Sequence, residues 1–164
     1  MTGKLLEIPF ITREMVQANR GTIFVFGDNI ARWGLKGQAA AMRGEPNSLG
    51  IPTKRTPYIF MDNSDLQRVI PIVDAAFEIL TAHLLKGGDV VWPKGGIGSG
   101  LAQLSTKAPA IDAYIKVSLE RLKSVAIAST KRNPDDWERY TKLIVLAKGS
   151  PIATANAADK EEQQ

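Results

Sequence analysis

The chain has 164 residues, 44% hydrophobic and 23% charged, with a formal net charge of +4, a balance that suits one globular domain with a sizeable core. It has no cysteine, which excludes a disulfide framework, a thiol nucleophile and a cysteine-ligated zinc site. No apolar stretch approaches the roughly 20 residues needed to span a bilayer, and Lys4 is not followed by a signal-peptide core, so a cytoplasmic location with no membrane partner is expected.

The predicted elements run as follows. Leu5 to Phe10 reads as a short edge strand limited by Pro9. Thr12 to Asn19 reads as a short helix with Thr12 as its N-cap, closed by Asn19-Arg20-Gly21. Thr22 to Phe26 is β-branched and aromatic without alternation, the pattern of a strand buried on both faces. Gly27-Asp28-Asn29 is expected to stop it. Lys36 to Arg43 predicts a short helix ended by Gly44, Ser48 to Ile51 a brief strand before Pro52, and Tyr58 to Met61 a further strand. Ser64 to Lys86 carries Leu66, Val69, Ile70, Val73, Phe77, Leu80 and Leu84 at helical spacing, with Ser64 as a cap and Pro71 as an internal fault. Asp89 to Trp92 predicts a buried strand, Pro93 to Leu104 a glycine-rich loop, and Ala108 to Lys123 an amphipathic helix with Pro109 in its first turn. Val125 to Ala128 reads either as a strand or as the end of that helix. Beyond it, Pro134 to Tyr140 suggests a helix capped by Asn133 and Leu143 to Ala147 a strand. Strands alternating with helices argue for a three-layer α/β domain over residues 1–148, and the polar composition of 149–164 for a disordered tail.

Two features point to a ligand. Residues 31–55 hold five cations (Arg32, Lys36, Arg43, Lys54 and Arg55) against one acid, Glu45, so this segment alone carries a charge equal to that of the whole chain. Such a surface suits an anionic partner or is simply a solvated face. In addition, two glycine-rich loops each follow an apolar strand and precede a helix: Gly27 to Gly37, and "WPKGGIGSGLAQL" from Trp92 to Leu104. Loops leaving the carboxyl ends of parallel strands converge on one crevice. Glycines there let backbone N–H groups approach a phosphate, and a following helix N-terminus adds partial positive charge. The spacing matches neither the Walker A loop nor the Gly-x-Gly-x-x-Gly of dinucleotide folds.

These residues resemble the macrodomain family, the ADP-ribose-binding module. Asn29 after a core strand, then Gly34, Gly37 and Gln38-Ala39-Ala40, is similar to its first loop; Pro93 followed by Gly96-Ile97-Gly98-Ser99-Gly100-Leu101-Ala102 is similar to its second. The stretch "GDN…GQAA…RG-PN-GIPTK" looks like a small set of bacterial and phage proteins with a macrodomain-like core. The likeness covers about Thr22 to Leu122. Leu35 and Lys36 stand where that family usually has consecutive glycines. The resemblance implies a three-layer α/β/α fold with a mixed, largely parallel central sheet. It implies ADP-ribose or a related NAD-derived nucleotide as ligand, with an ADP-ribosylated protein or nucleic acid as partner. Under it Asn29 approaches the distal ribose, Gly34, Lys36 and Gly37 close over the distal ribose and phosphate, Gly95, Gly96, Ile97, Gly98, Ser99, Gly100 and Leu101 wrap the diphosphate, and Gly27 and Gln38 are further ligand-binding residues. It assigns no cofactor or metal.

Some macrodomain-like hydrolases use a lysine or an acid near the distal ribose, which makes Lys36, Lys54 and Asp28 the catalytic candidates. A lysine nucleophile needs burial or a cationic neighbour, and Arg55 adjoins Lys54. Asp28 equally suits a turn cap. His83, the one histidine, lies inside a predicted helix with no second ligand at metal spacing. Trp33, in the first loop, either stacks on a base or ribose or covers the loop. The competing functions are a hydrolase, a non-catalytic nucleotide sensor or sequestering protein, and a basic nucleic-acid-binding module.

Overall fold

The computed structural model describes residues 2–128. Four strands form one sheet in the order β1-β4-β2-β3: β1 (Leu5–Ile8), β2 (Ile23–Asn29), β3 (Ser48–Lys54) and β4 (Val90–Pro93). All three pairings are parallel, because each connection returns through a helix. The one antiparallel contact among the described residues is an isolated bridge between Lys54 and Phe60, so the expected mixed character is not seen there. The helices are α1 (Arg13–Ala18), α2 (Ala39–Met42), α3 (Leu66–Leu85), α4 (Leu104–Lys107) and α5 (Pro109–Ala128).

Alternation along the strands divides the core in two. Phe24, Phe26, Val91 and Ile8 pack with Met15 and Val16 of α1 and Ala39 and Met42 of α2. Val25, Ile51, Val90 and Trp92 face the opposite way and pack with Val73, Leu80 and Leu84 of α3 and Ile111, Ile115 and Leu122 of α5. The sheet is therefore covered on both faces, which explains the unbroken apolar run of β2.

Several boundaries differ from the sequence reading. The β2 strand does not stop at Gly27. Gly27 and Asp28 stay in register with Ile51 and Pro52, and a Cβ at Gly27 would lie 3.3 Å from the Thr53 hydroxyl, so this glycine marks a close approach inside a strand. The β3 strand likewise runs through Pro52, tolerated because β3 is an edge of the described sheet. The helix expected over Lys36 to Arg43 shrinks to a single turn, since Gly37 takes φ +60° and Arg43 leaves at ψ 132°. Tyr58 to Met61 is not a strand. The Ile59 N–H bonds back to the Thr56 carbonyl (3.3 Å) and hydroxyl (3.1 Å), closing a turn at Pro57. The cap before α3 is Asp62, which accepts from the Ser64 N–H (2.8 Å) while Asp65 accepts from the Asp62 N–H (3.0 Å). Pro71 sits within a continuous α3, and Val125 to Ala128 continue α5. The elements expected over Pro134–Tyr140 and Leu143–Ala147, Trp137 and the C-terminal tail lie outside the described residues. Among the described residues no helix is long and apolar enough to cross a membrane.

Candidate functional site

Two adjacent strands send their chains to opposite faces. After β2 the chain passes to α2, whose residues share a core with α1. After β4 it passes to α4 and α5, whose residues share a core with α3. The strand order places β2 beside β4, so the two loops diverge and leave a crevice beyond the carboxyl ends, the place where open α/β sheets bind ligands. A cleft of about 350 Å³ occupies this position, within the size range of small-molecule sites.

Both glycine-rich loops line it. From the first come Gly27, Asp28, Asn29, Gly34, Lys36, Gly37 and Gln38; from the second come Gly98, Ser99, Gly100, Leu101 and Ala102. Lys54 lines it from the end of β3. Gly95, Gly96 and Ile97, expected to touch the ligand, are not among the lining residues. The Ile97 side chain instead points into the core, 6% exposed. Nor is the helix N-terminal contribution present as expected: α2 and α4 are single turns, too short to build a macrodipole.

The Gln38 amide joins the two loops, and an ion pair braces the first. Gln38 Oε1 accepts from the Gly27 N–H (2.8 Å) and Nε2 donates to the Gly96 carbonyl (3.0 Å), so one side chain ties β2 to the second loop. The Asp28 carboxylate is 3% exposed and is held by the Arg43 guanidinium. It also accepts from the Asn29 N–H (2.7 Å). The same Arg43 donates from Nε to the Gly34 carbonyl (2.7 Å) and lies over the Phe26 ring, 5.7 Å from its centroid. Gly50, on β3, leaves the space that the Asp28 side chain fills. Asp28 is thus a strut of the loop rather than an open acid. Sequence reasoning saw Arg43 only as one cation of a basic segment. Fifteen positions separate it from Asp28 with no periodicity to link them, so only the folded loop reveals the pair.

Asn29 is 8% exposed. Its Nδ2 donates to the Trp33 carbonyl (2.8 Å), while its Oδ1 is buried without a hydrogen-bond partner. Gly98 takes φ +78°, and a Cβ there would lie 3.0 Å from Leu104 Cβ and Cδ2, so the position admits little but glycine. The Ser99 hydroxyl donates to the Gly95 carbonyl (2.8 Å) and is committed to the loop itself.

The cations are mostly spoken for. Besides Arg43, Arg55 bonds both Asp65 oxygens (3.0 and 2.9 Å) and Asp62 (3.1 Å). The Asp65 hydrogen bonds, then the charges of Asp65 and Asp62, raise its pKa above the ordinary arginine value. Arg55 is therefore matched by carboxylates and does not act as the bare cation expected beside Lys54. Lys54 Nζ donates to the Pro57 carbonyl (2.5 Å) and lies 4.8 Å from the Phe60 ring centroid. Lys36 and Arg32 are exposed, Arg32 standing 3.9 Å from Asp28. His83 faces the Gly21 carbonyl (3.1 Å), a packing role far from the cleft. Among the described residues no three His, Asp or Glu side chains gather at metal-binding distance.

No curated protein and no solved structure matches the chain. Residues 6–118, which include every residue lining the cleft, match the model of a family of unknown function, DUF7831, and the chain belongs to that family.

Proposed function

We propose that the protein binds ADP-ribose or a related NAD-derived nucleotide in the cleft between its two glycine-rich loops, as a macrodomain-like module. The observation that carries this reading is Asn29. Its amide oxygen is buried and unpaired in a residue that lines the cleft, and such an acceptor costs about 1–3 kcal/mol when left unsatisfied. A turn of the Asn29 amide towards the cleft would let a ribose hydroxyl donate to it and remove that cost. The backbone of Gly98 to Gly100 offers close approach for a diphosphate, and Lys36 supplies a nearby positive charge.

Calorimetric titration of the full chain with ADP-ribose, with AMP and NAD as controls, tests the reading. Asn29→Ala should weaken ADP-ribose binding by about tenfold, one unsatisfied hydrogen bond's worth, with a small fall in melting temperature from the lost bond to the Trp33 carbonyl. Absence of binding by the unaltered protein to all three nucleotides would overturn it. Gly98→Glu is a poorer probe, because Leu104 blocks a side chain there and the fold would suffer with the site.

Of the two modes, binding without turnover is favoured over hydrolysis. Asp28 is the one carboxylate among the described lining residues, and Arg43 occupies it. Lys54 is engaged by Pro57. If a hydrolytic step exists, Lys36 is the remaining candidate, and release of free ADP-ribose from an ADP-ribosylated protein or oligonucleotide should vanish on Lys36→Ala. Recognition of a nucleic-acid backbone is disfavoured, because Arg43 and Arg55 are already matched by carboxylates.

A further inference from the structure

Four large apolar side chains stand exposed around the mouth of this one cleft: Trp33 (47%), Leu35 (65%), Tyr58 (73%) and Leu101 (66%). Scattered singly, exposed apolar residues need no explanation, but a cluster rimming a cleft marks a contact surface. Two of the four are aromatic and already touch, the Trp33 and Tyr58 rings meeting edge to face with centroids 5.7 Å apart.

Both rings are carried on backbone that is fixed. The Trp33 carbonyl accepts from Asn29 Nδ2 (2.8 Å) and Arg43 Nη2 (3.4 Å), and the next carbonyl, of Gly34, accepts from Arg43 Nε (2.7 Å). Tyr58 sits in the turn closed by the Arg55 N–H on the Ile59 carbonyl (3.0 Å) and by Lys54 Nζ on the Pro57 carbonyl (2.5 Å). The two segments lock together at Gly34, which takes φ +96° and where a Cβ would lie only 3.0 Å from Pro57 Cγ. Hydrogen bonds thus hold the main chain while the rings face outward. An arrangement that exposes rigid aromatic surface beside a polar, glycine-lined cleft suits a ligand with one polar part and one flat ring.

We propose that Trp33 and Tyr58 form a stacking platform for a flat heteroaromatic ring of the ligand, a nucleobase or a nicotinamide, outside the part of the cleft that takes ribose and phosphate. This deepens the nucleotide reading and rests on it. The platform selects nucleotides over sugar phosphates of the same charge. It also places Asn29 and Trp33 in one unit, since the amide that would meet the ribose also holds the backbone of the stacking residue.

The test titrates the full chain with ADP-ribose, AMP, nicotinamide mononucleotide and ribose 5-phosphate, by calorimetry and by tryptophan fluorescence. The difference between the unaltered protein and Trp33→Phe isolates the Trp33 signal, since Trp92 and Trp137 are common to both. Trp33→Ala and Tyr58→Ala should each weaken the best ring-containing ligand by roughly tenfold, within the range that stacking of one base spans. Trp33→Phe should recover most of the loss, and ribose 5-phosphate should bind all four proteins alike. Binding of ADP-ribose that both alanine variants leave unchanged would overturn the platform and leave the nucleotide reading standing. An equal loss for ribose 5-phosphate would also overturn it, by showing a general effect on the cleft. Binding of another ring-containing ligand but not ADP-ribose, lost on Trp33→Ala, would support the platform and overturn ADP-ribose as the ligand. Failure of every ring-containing ligand to bind would overturn both.

Discussion

Arg43 is the residue on which the first loop depends. It bridges Asp28 at the end of β2 to the carbonyls of Trp33 and Gly34, and it spreads over Phe26. Removing it leaves a carboxylate that is 3% exposed with only the exposed Arg32, 3.9 Å away, as countercharge among the described residues. Arg43→Met should therefore destabilise the fold on the order of 3 kcal/mol, the lower end of the range for a broken buried pair, because Arg43 itself keeps 18% exposure. Combining it with Asp28→Asn should recover part of the loss. The urea midpoints of Arg43→Met, Asp28→Asn and the double variant decide this, and midpoints equal to that of the unaltered protein would refute the strut role. At Gly98 the issue is backbone rather than charge. Gly98→Ala forces an L-residue to φ +78° against Leu104, and a destabilisation of about 1–2 kcal/mol is expected from the left-handed conformation alone. A melting temperature equal to that of the unaltered protein would contradict it.

At the scale of elements, α3 carries a local fault that the fold overrides. Pro71 is the sixth residue of the helix, so its ring takes the place of an N–H that would bond the Gln67 carbonyl. The helix continues because Val69, Val73, Ala76, Phe77, Leu80 and Leu84 are all buried against the sheet and α5. Cross-links add to this: the Tyr114 hydroxyl donates to Asp74 (2.5 Å), and Asn63 Oδ1 accepts from the Ala110 N–H (3.0 Å). Pro71 is exposed, so Pro71→Ala should restore a helix bond without disturbing the core and stabilise by about 1–3 kcal/mol. Differential scanning calorimetry reads this directly, and a lowered melting temperature would mean that the proline's constraint on the unfolded chain outweighs the missing bond. The N-terminus of α1 shows the converse, local chemistry and fold in agreement. The Thr12 hydroxyl accepts from the Met15 N–H (3.2 Å), a cap whose removal typically costs about 1 kcal/mol.

For the molecule as a whole, the positive charge of residues 31–55 is largely answered inside the fold. Asp28 meets Arg43, and Asp62 and Asp65 meet Arg55. The segment's one acid, Glu45, is in turn shared by Arg20, Arg13 and Gln17 from the α1 side. The hydrogen bonds of Arg20, Gln17 and Arg13, in that order, pull the Glu45 carboxyl from its usual 4.5 down to about 2. Because the folded value is the lower one, the stabilisation is complete above pH 4.5 and is lost as the pH falls towards 2. Glu45→Gln should flatten the acid limb of the stability curve in that window and leave the neutral limb parallel. An unchanged acid limb would show that other carboxylates dominate. The same accounting predicts weak nucleic-acid binding: with so few uncommitted cations at the cleft, any affinity for oligonucleotides should disappear by physiological salt, and tight binding that persists there would contradict it.

Much of the frame was legible in the sequence because it rests on local rules. The doubly buried β2 was visible in Ile23-Phe24-Val25-Phe26, α3 and α5 in their apolar spacing, the Thr12 cap in its hydroxyl, and the two strand-to-loop junctions in their glycines. These follow from periodicity and backbone preference, which act within a few residues. What the sequence could not show depended on partners far apart in the chain. Gly27 and Pro52 read as stops yet lie inside strands, because β2 and β3 pair across them. Gly95, Gly96 and Ile97 read as ligand contacts, but Ile97 is drawn into the core and the lining begins at Gly98. Asp28 read as a catalytic candidate or a turn cap until Arg43 met it, and Tyr58 read as strand until it came to stand beside Trp33. The alternation of strands and helices set the class of fold, and the two loops set the neighbourhood of the candidate site. Which side chains remain open to a ligand was decided only when the parallel sheet brought β2, β3 and β4 together and charge pairing consumed the rest.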